Sequence, residues 1–124
     1  MSTGDECQEW EFEITPTLLR MMATLQSARL AASMGPVAMC WATDQVCAGL
    51  HDGEQWVAAH PCPQVDLDDR MSRTLRSYRI VARLFELECL DSNGPNLRVI
   101  KCEVDDLIAM IANTFVADSG QFIW

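Results

Sequence analysis

The chain has 124 residues, of which 49% are hydrophobic and 22% charged, and its 18 acidic and 9 basic side chains give a formal net charge of -9. This apolar fraction excludes an intrinsically disordered chain, and the length suits one buried core rather than two. No apolar run reaches the roughly 18 residues that span a bilayer, and the acidic start does not resemble a signal peptide. We therefore predict a single intracellular domain over residues 1–124 with no membrane contact.

The first half of the chain predicts a strand, a helix and a meander of short strands. Trp10, Phe12 and Ile14 alternate with glutamates, which is typical of a strand with one solvated face. A helix is predicted over Pro16–Ser33, because proline suits the first turn of a helix and a glycine-proline pair ends the pattern. Three short strands are then predicted within Val37–Ala59.

The second half predicts a helix, a hairpin and a final helix. Apolar residues at helical spacing predict a helix over residues 66–82, and aspartates at its start suit the helix dipole. Residues 85–90 alternate like a strand, residues 91–96 favour a turn, and residues 97–103 are predicted as the return strand. The last helix is predicted over residues 104–115.

Six cysteines are scattered along the chain without a CxxC pair: Cys7, Cys40, Cys47, Cys62, Cys89 and Cys102. Because nothing in the sequence indicates secretion, we expect reduced, mostly buried thiols and no disulfide framework. The alternative is a zinc site, although the spacing of its four ligands matches no familiar zinc module. Those ligands would be Cys47, His51, His60 and Cys62. We otherwise predict no metal and no cofactor.

Arginines recur every third residue along the predicted helix over residues 66–82: Arg70, Arg73, Arg76 and Arg79. One interpretation is that they fill the solvent face of the helix and pair with carboxylates, which are twice as numerous as basic side chains. The other is that they contact an anion, either a nucleic-acid phosphate or an acidic partner. Residues 15–43 contain Arg20 and Arg29 but no acidic residue. The net charge alone therefore does not exclude nucleic acid.

Paired carboxylates occur at Asp68-Asp69 and at Asp105-Asp106, where we predict that helices begin. A favourable interaction with the amino-terminal end of a helix explains both pairs without catalysis. The chain contains no glycine-rich phosphate loop, no GxSxG nucleophile elbow and no HExxH zinc motif. We therefore predict a protein that is not an enzyme.

Three stretches carry a resemblance to a known family in their hydrophobic pattern and spacing. They are EFEITPTLLRMMATLQSARLAA (residues 11–32), VAMCWATDQVCAGLHDGEQWVAA (residues 37–59) and FELECLDSNGPNLRVIKCEVDDLIAMI (residues 85–111). In this order they resemble the first strand with its pore-lining helix, the following strands, and the strand pair with the second pore helix of DNA sliding clamps. The resemblance is to the amino-terminal domain of clamps of the proliferating cell nuclear antigen type, and particularly to checkpoint-clamp subunits.

The resemblance implies a ring-shaped assembly around duplex DNA, with a role in DNA repair or checkpoint signalling and a nuclear location. Arg20 is then the best DNA-facing candidate, and Arg29 is a second. Against the usual plan of the family, residues 63–82 are an arginine-rich helical insertion. Without the resemblance, we expect a cytoplasmic protein.

The sequence thus predicts an α+β fold with a mostly antiparallel sheet and about three helices on one face. The predicted function is that of a non-enzymatic, clamp-like interaction protein, which assembles with partner proteins or with copies of itself around DNA. The alternative is a small acidic inhibitor, such as an immunity or anti-defence protein, that blocks a basic nucleic-acid-binding site on a target enzyme. Only the first hypothesis expects association with DNA.

Overall fold

The elements of this chain are helices, in a computed structural model that describes residues 3–90 and 97–116, with side chains from residue 8 onward. In chain order they are α1 (Thr3–Ala32), α2 (Pro36–Ala59), α3 (Val65–Leu90) and α4 (Leu97–Ile111). A π-helical turn, Ala112–Val116, continues α4. The described residues contain no strand, so the predicted α+β fold with an antiparallel sheet is wrong.

Successive helices run in opposite directions around a common core. Trp10 near the start of α1 forms a hydrogen bond with His60, which follows the end of α2. Cys40 near the start of α2 contacts Cys89 near the end of α3. Helix α4 packs on both α1 and α3, and α2 packs on the same two helices from the other side. The result is an up-down four-helix bundle with α1 and α3 on one diagonal.

Apolar side chains from every helix fill the core at helical spacing. The largest fully buried side chains are Ile14, Leu18, Met21, Met22, Leu25, Val46, Met71, Tyr78, Phe85, Ile100, Leu107 and Ile111. The helices predicted over residues 16–33 and 66–82 lie almost wholly within α1 and within α3. The predicted last helix corresponds to the second half of α4 and the π-helical turn. The three predicted helices are therefore confirmed, although each described helix is longer or begins elsewhere.

The predicted first strand is wrong, because the alternating apolar residues include a pair at helical spacing. Trp10 and Ile14, four residues apart, are both buried, whereas Phe12 between them is 66% exposed. Pro16 lies inside α1 instead of opening it. Proline has no backbone N–H, so the carbonyl of Phe12 loses its usual helical donor at this point. The helix continues because the buried stripe on both sides of Pro16 packs against the same core.

The predicted meander is wrong for a similar reason. Met39, Thr43 and Val46 are buried at helical spacing, whereas Val37 is 86% and Trp41 48% exposed. Val37, Met39 and Trp41 alternate with smaller residues, which favoured a strand, but only Met39 of these three is buried. Gly35 precedes α2 with a φ of 108°, a left-handed conformation that favours glycine at this turn.

The predicted hairpin is also wrong, since both of its strands belong to helices. Residues 85–90 form the last turns of α3, with Phe85 and Glu88 buried three residues apart. Residues 97–103 form the first half of α4. The predicted turn over residues 91–96 lies outside the described residues. The predicted insertion over residues 63–82 is mostly the first two-thirds of α3, and its apolar side contributes to the core.

Candidate functional site

Alternating helix directions bring exposed carboxylates to one end of the bundle, where α1 and α3 begin. We call this surface the acidic end and define it by Glu9, Glu13, Asp66, Asp68 and Asp69. All five side chains are exposed. None of them forms an ion pair with another described residue. The acidic end is therefore a concentration of negative charge that the described part of the protein leaves uncompensated.

Two clefts flank the proline-rich connection between α2 and α3 at the acidic end. The first has a volume of about 380 Å³ and is lined by Glu9, Trp10, Glu13, Ala59, His60, Pro61 and Pro63. The second has a volume of about 290 Å³ and is lined by Val57, Pro61, Cys62, Pro63, Gln64, Val65 and Asp68. Carboxylates beside apolar walls suit the side chain of an arginine or lysine, whose apolar stem and charged head need both.

An aromatic cluster holds the first cleft in shape. The indole N–H of Trp10 donates to the backbone carbonyl of His60 at 3.0 Å. Trp56 packs edge-on against Trp10, with ring centroids 5.6 Å apart, and stacks on His60 at 4.2 Å. Because Trp10 itself is buried, the cluster ties the start of α1 to the end of α2. The carboxylates of Glu9 and Glu13 are thereby placed on a fixed helix rather than on a loop.

The six arginines predicted to face DNA or another anion do not share one surface. Arg20 lines the α1–α2 groove, and Arg29 pairs with Asp105 of α4 at 2.9 Å. Arg79 pairs with Glu54 of α2 across the α2–α3 groove. Arg70 and Arg73 line the α3–α4 groove, and Arg76 is exposed on α3. Spread over four grooves in this way, they form no continuous positive face.

Each of the two interpretations of the arginine stripe applies to part of it. Arg79 pairs with a carboxylate, as expected for a solvent-facing helix. Arg70, Arg73 and Arg76 form no ion pair with any described residue. Arg70 and Arg73 line a cleft of about 350 Å³ together with Thr74, Met110, Asn113 and Thr114. This cleft has the donors that a small anion requires.

The two predicted helix-start carboxylate pairs have different surroundings. Asp68 lies in the first turn of α3, and Asp69 follows it, as predicted. Asp105 and Asp106 lie in the middle of α4, because that helix begins at Leu97. The helix-start explanation is therefore wrong for the second pair. Asp105 instead forms an ion pair with Arg29, which links α1 to α4.

The structure does not bring the predicted zinc ligands together. Cys47 and His60 are separated by 13 residues along a helix, which corresponds to roughly 20 Å at 1.5 Å per residue. Within the described residues, no three histidine, cysteine, aspartate or glutamate side chains are grouped so that they could hold a metal ion. The cysteines also differ from expectation, because none of the five described thiols is buried. Cys7 lies outside the residues whose side chains are described.

The opposite end of the bundle exposes apolar side chains. It contains seven of the ten large hydrophobic residues that are exposed in the described part of the chain: Leu30, Met34, Val37, Trp41, Leu87, Leu90 and Val99. Exposed apolar surface of this kind is typical of protein-protein contact. We call this surface the apolar end.

Reasoning from sequence missed the acidic end and the contact between Cys40 and Cys89. The signal for the first was present, since Glu9 and Glu13 are four residues apart and therefore share one face of a helix. Their alternation with apolar residues instead suggested a strand. The thiol contact left no local signal, because 49 positions separate the two cysteines.

No family model, no curated protein and no solved structure matches this chain. The fold and the surfaces described above are therefore the basis for a functional proposal. Among the described helices, none is both long enough and apolar enough to cross a membrane.

Proposed function

We propose that this protein is a small acidic binding protein that covers a basic, nucleic-acid-binding surface of a partner protein. The observation that carries the proposal is the acidic end, with five exposed carboxylates that no described basic side chain neutralises. A row of carboxylates on a rigid bundle presents the kind of negative surface that a phosphate-binding site on a partner attracts.

Local helix physics accounts for only part of the acidic end. Asp66, Asp68 and Asp69 lie at the start of α3, where the helix dipole favours negative charge. Glu9 and Glu13 lie in the second and third turns of α1, which begins at Thr3. The dipole acts within the first turn, so it does not explain these two glutamates. Their exposure beside a cleft favours a role in binding.

The clefts at the acidic end add shape to the charge. An arginine or lysine side chain from the partner fits between Glu9 and Glu13 on one side and Pro61 and Pro63 on the other. Its apolar stem contacts the prolines, and its charged head meets the carboxylates. The net charge of -9 adds long-range attraction, which speeds association with a basic surface and weakens as salt rises.

The clamp hypothesis has less support from the geometry. Its resemblance depended on strands within residues 10–14, 37–59 and 85–103, and the described parts of these segments are helical. Its DNA-facing arginines lie in separate grooves, and two of them, Arg29 and Arg79, are already ion-paired. The acidic inhibitor is therefore the function that we propose.

Two matched variants test the proposal. One replaces Glu9→Gln, Glu13→Gln and Asp68→Asn at the acidic end. The control replaces Asp44→Asn, Glu103→Gln and Asp106→Asn, which are exposed and form no ion pair among the described residues. Both remove three negative charges, so the two variants have the same net charge. Tagged wild type and both variants are used to recover partners from source cells, with quantification by mass spectrometry.

We expect wild type and the control to recover one basic nucleic-acid-binding protein in stoichiometric amounts. We expect the acidic-end variant to recover at least tenfold less of it, because charge at this surface carries the contact. Purified wild type should then block that partner from shifting duplex DNA on a gel. Equal recovery by all three proteins contradicts the proposal. Retention of the purified protein itself on duplex DNA also contradicts it and favours the clamp hypothesis.

A further inference from the structure

Two thiols meet where the start of α2 packs against the end of α3. The Sγ atoms of Cys40 and Cys89 are 2.8 Å apart, although 49 positions separate the residues in the chain. Cys40 is exposed and Cys89 is half-buried, so reagents in solution reach the pair. A disulfide has an S–S distance of about 2.05 Å, so bond formation needs the sulfur atoms to approach by less than about 1 Å.

Side-chain contacts near the two thiols hold α2 against α3. The hydroxyl of Thr43, one turn from Cys40, shares its proton between the carbonyl of Met39 at 2.8 Å in α2 and the carbonyl of Phe85 at 3.2 Å in α3. Arg79 and Glu54 pair across the same groove further along. Because the two Sγ atoms already lie 2.8 Å apart, we expect rotation of the side chains to be enough to close the bond. We propose that Cys40 and Cys89 are a redox-active pair that forms a reversible disulfide between α2 and α3.

Two of the other described cysteines form hydrogen bonds with oxygen atoms. The thiol of Cys47 donates to a carboxylate oxygen of Glu86 at 3.5 Å. The thiol of Cys62 donates to the carbonyl of Gln64 at 3.3 Å, and Cys102 lines a cleft beside Arg29. A disulfide between α2 and α3 is therefore specific to one pair within the described residues.

A low-molecular-weight disulfide, such as oxidised glutathione, supplies the oxidising equivalents. Cys40 releases its proton to water, and its thiolate attacks one sulfur of the reagent; a mixed disulfide forms, and one reagent thiolate leaves and takes up a proton. Cys89 then releases its proton, and its thiolate attacks the Sγ of Cys40. The protein disulfide forms as the second reagent thiolate leaves and is protonated. Two protein thiols become one disulfide, and one reagent disulfide becomes two thiols.

The chemistry of the pair favours slow exchange at neutral pH. The hydrogen bond with Cys89 is the largest cause that raises the pKa of Cys40 above its ordinary value, and the carboxylate of Asp44 adds to the effect. Because the thiolate is the nucleophile, we expect the reaction to accelerate as the pH rises. Since the proposed pair depends only on geometry within the bundle, it is independent of the proposed partner.

The test uses the full chain in buffers of reduced and oxidised glutathione. We expect the intact mass to fall by two hydrogen atoms, and peptide mapping to find a Cys40–Cys89 link. We also expect the midpoint of thermal unfolding to rise by on the order of 10 °C, since the link closes a loop of about 50 residues in the unfolded chain. A reducing agent should reverse both changes.

Single variants make the test specific. Cys40→Ser and Cys89→Ser should each abolish the mass change and the rise in the unfolding midpoint. Cys47→Ser and Cys102→Ser should retain both, and they serve as matched controls. The proposal is overturned if mapping of the wild-type protein finds only mixed glutathione disulfides or a different pairing. Since mapping uses the wild-type protein, the result does not depend on the folding of any variant.

Discussion

Substitution of Gly49 by alanine tests the packing between α2 and α3. A Cβ atom built at Gly49 meets the hydroxyl oxygen of Tyr78 well inside van der Waals contact, whereas the Cζ of the same ring lies at 3.4 Å. Tyr78 is fully buried, and its hydroxyl has no hydrogen-bond partner among the described residues. The ring therefore has little room to retreat. In the interior of a helix, replacing glycine by alanine ordinarily stabilises by about 0.5–1 kcal/mol.

We expect the opposite sign here. Overpacking in a core typically costs about 1–3 kcal/mol, which exceeds the gain in helix propensity, so Gly49→Ala should lower the free energy of unfolding by about 1–2 kcal/mol. Tyr78→Phe removes the clashing oxygen. On its own it should be neutral or slightly stabilising, because the lost hydroxyl makes no hydrogen bond with any described residue. In the Tyr78→Phe background, Gly49→Ala should then recover its ordinary stabilising effect.

The assay is urea unfolding followed by far-ultraviolet circular dichroism for the wild type, both single variants and the double variant. The double-mutant cycle should give a coupling of about 1–3 kcal/mol. Gly53→Ala in the same helix is the matched control, since its Cβ meets only flexible side-chain atoms, Met21 Sδ at 3.3 Å and Leu75 Cδ2 at 3.4 Å. A stabilising effect of Gly49→Ala in the wild-type background, or the absence of coupling, would refute the packing described here.

Three further predictions concern the helix α1, the aromatic cluster and alkaline pH. Pro16→Ala should raise the free energy of unfolding by about 1–2 kcal/mol in urea titrations, because it restores a backbone donor inside α1; an unchanged value would place the start of the helix after this position. Trp10→Phe should lower the free energy of unfolding by about 1–3 kcal/mol in the same assay, because the ring is smaller and a hydrogen bond is lost. The control Trp41→Phe, at a half-exposed position, should lower it by less than about 1 kcal/mol. Burial, followed by the nearby Cys47 and Asp52, raises the pKa of Tyr78, so the neutral phenol is favoured in the folded state. The contribution of the neutral Tyr78 to the free energy of unfolding is fully present below the ordinary tyrosine pKa of about 10. Above that pH it falls by about 1.4 kcal/mol per pH unit. Tyr78→Phe should flatten this loss in unfolding measurements between about pH 8 and about pH 11, and an equal loss in both proteins would contradict the assignment.

The sequence predicted the helices well where one period of the hydrophobic pattern dominated. The stripe of α3 from Met71 to Ala82 and that of α4 from Val104 to Ile111 are unambiguous at helical spacing. The pattern failed where apolar and charged residues alternated over five or six positions. Trp10, Phe12 and Ile14 fit a strand as well as a helix, since two of the three also satisfy a spacing of four.

Such an ambiguous segment is helical when it belongs to a longer helix, and the extent of that helix depends on tertiary contacts. The segment around Phe12 is helical because Ile14 and Leu18 continue the stripe beyond Pro16, and α2 and α4 cover that stripe. Neither a proline within a helix nor an exposed phenylalanine would be favoured by local propensity alone. Packing of one long helix on its neighbours offsets both costs.

For the candidate surfaces too, the sequence predicted the local pattern, and tertiary contacts decided the surroundings of each side chain. Charge composition indicated an acidic protein, and the spacing of Arg70, Arg73, Arg76 and Arg79 placed them on one stretch of helix. The sequence could not show that Arg79 reaches Glu54 while Arg70 and Arg73 line an open cleft without an ion pair among the described residues. Those differences follow from which neighbouring helix each arginine faces.

By itself, the sequence determined the composition of a small acidic protein, its three strongest helical segments and the regular spacing of four arginines along one of them. These properties are local, because each depends on residue type and on spacing within about two turns. Tertiary structure decided that every described element is a helix, that the starts of α1 and α3 form one acidic end, and that Cys40 lies against Cys89. Such juxtapositions depend on the direction in which each helix crosses the core, and no short stretch of sequence encodes that direction.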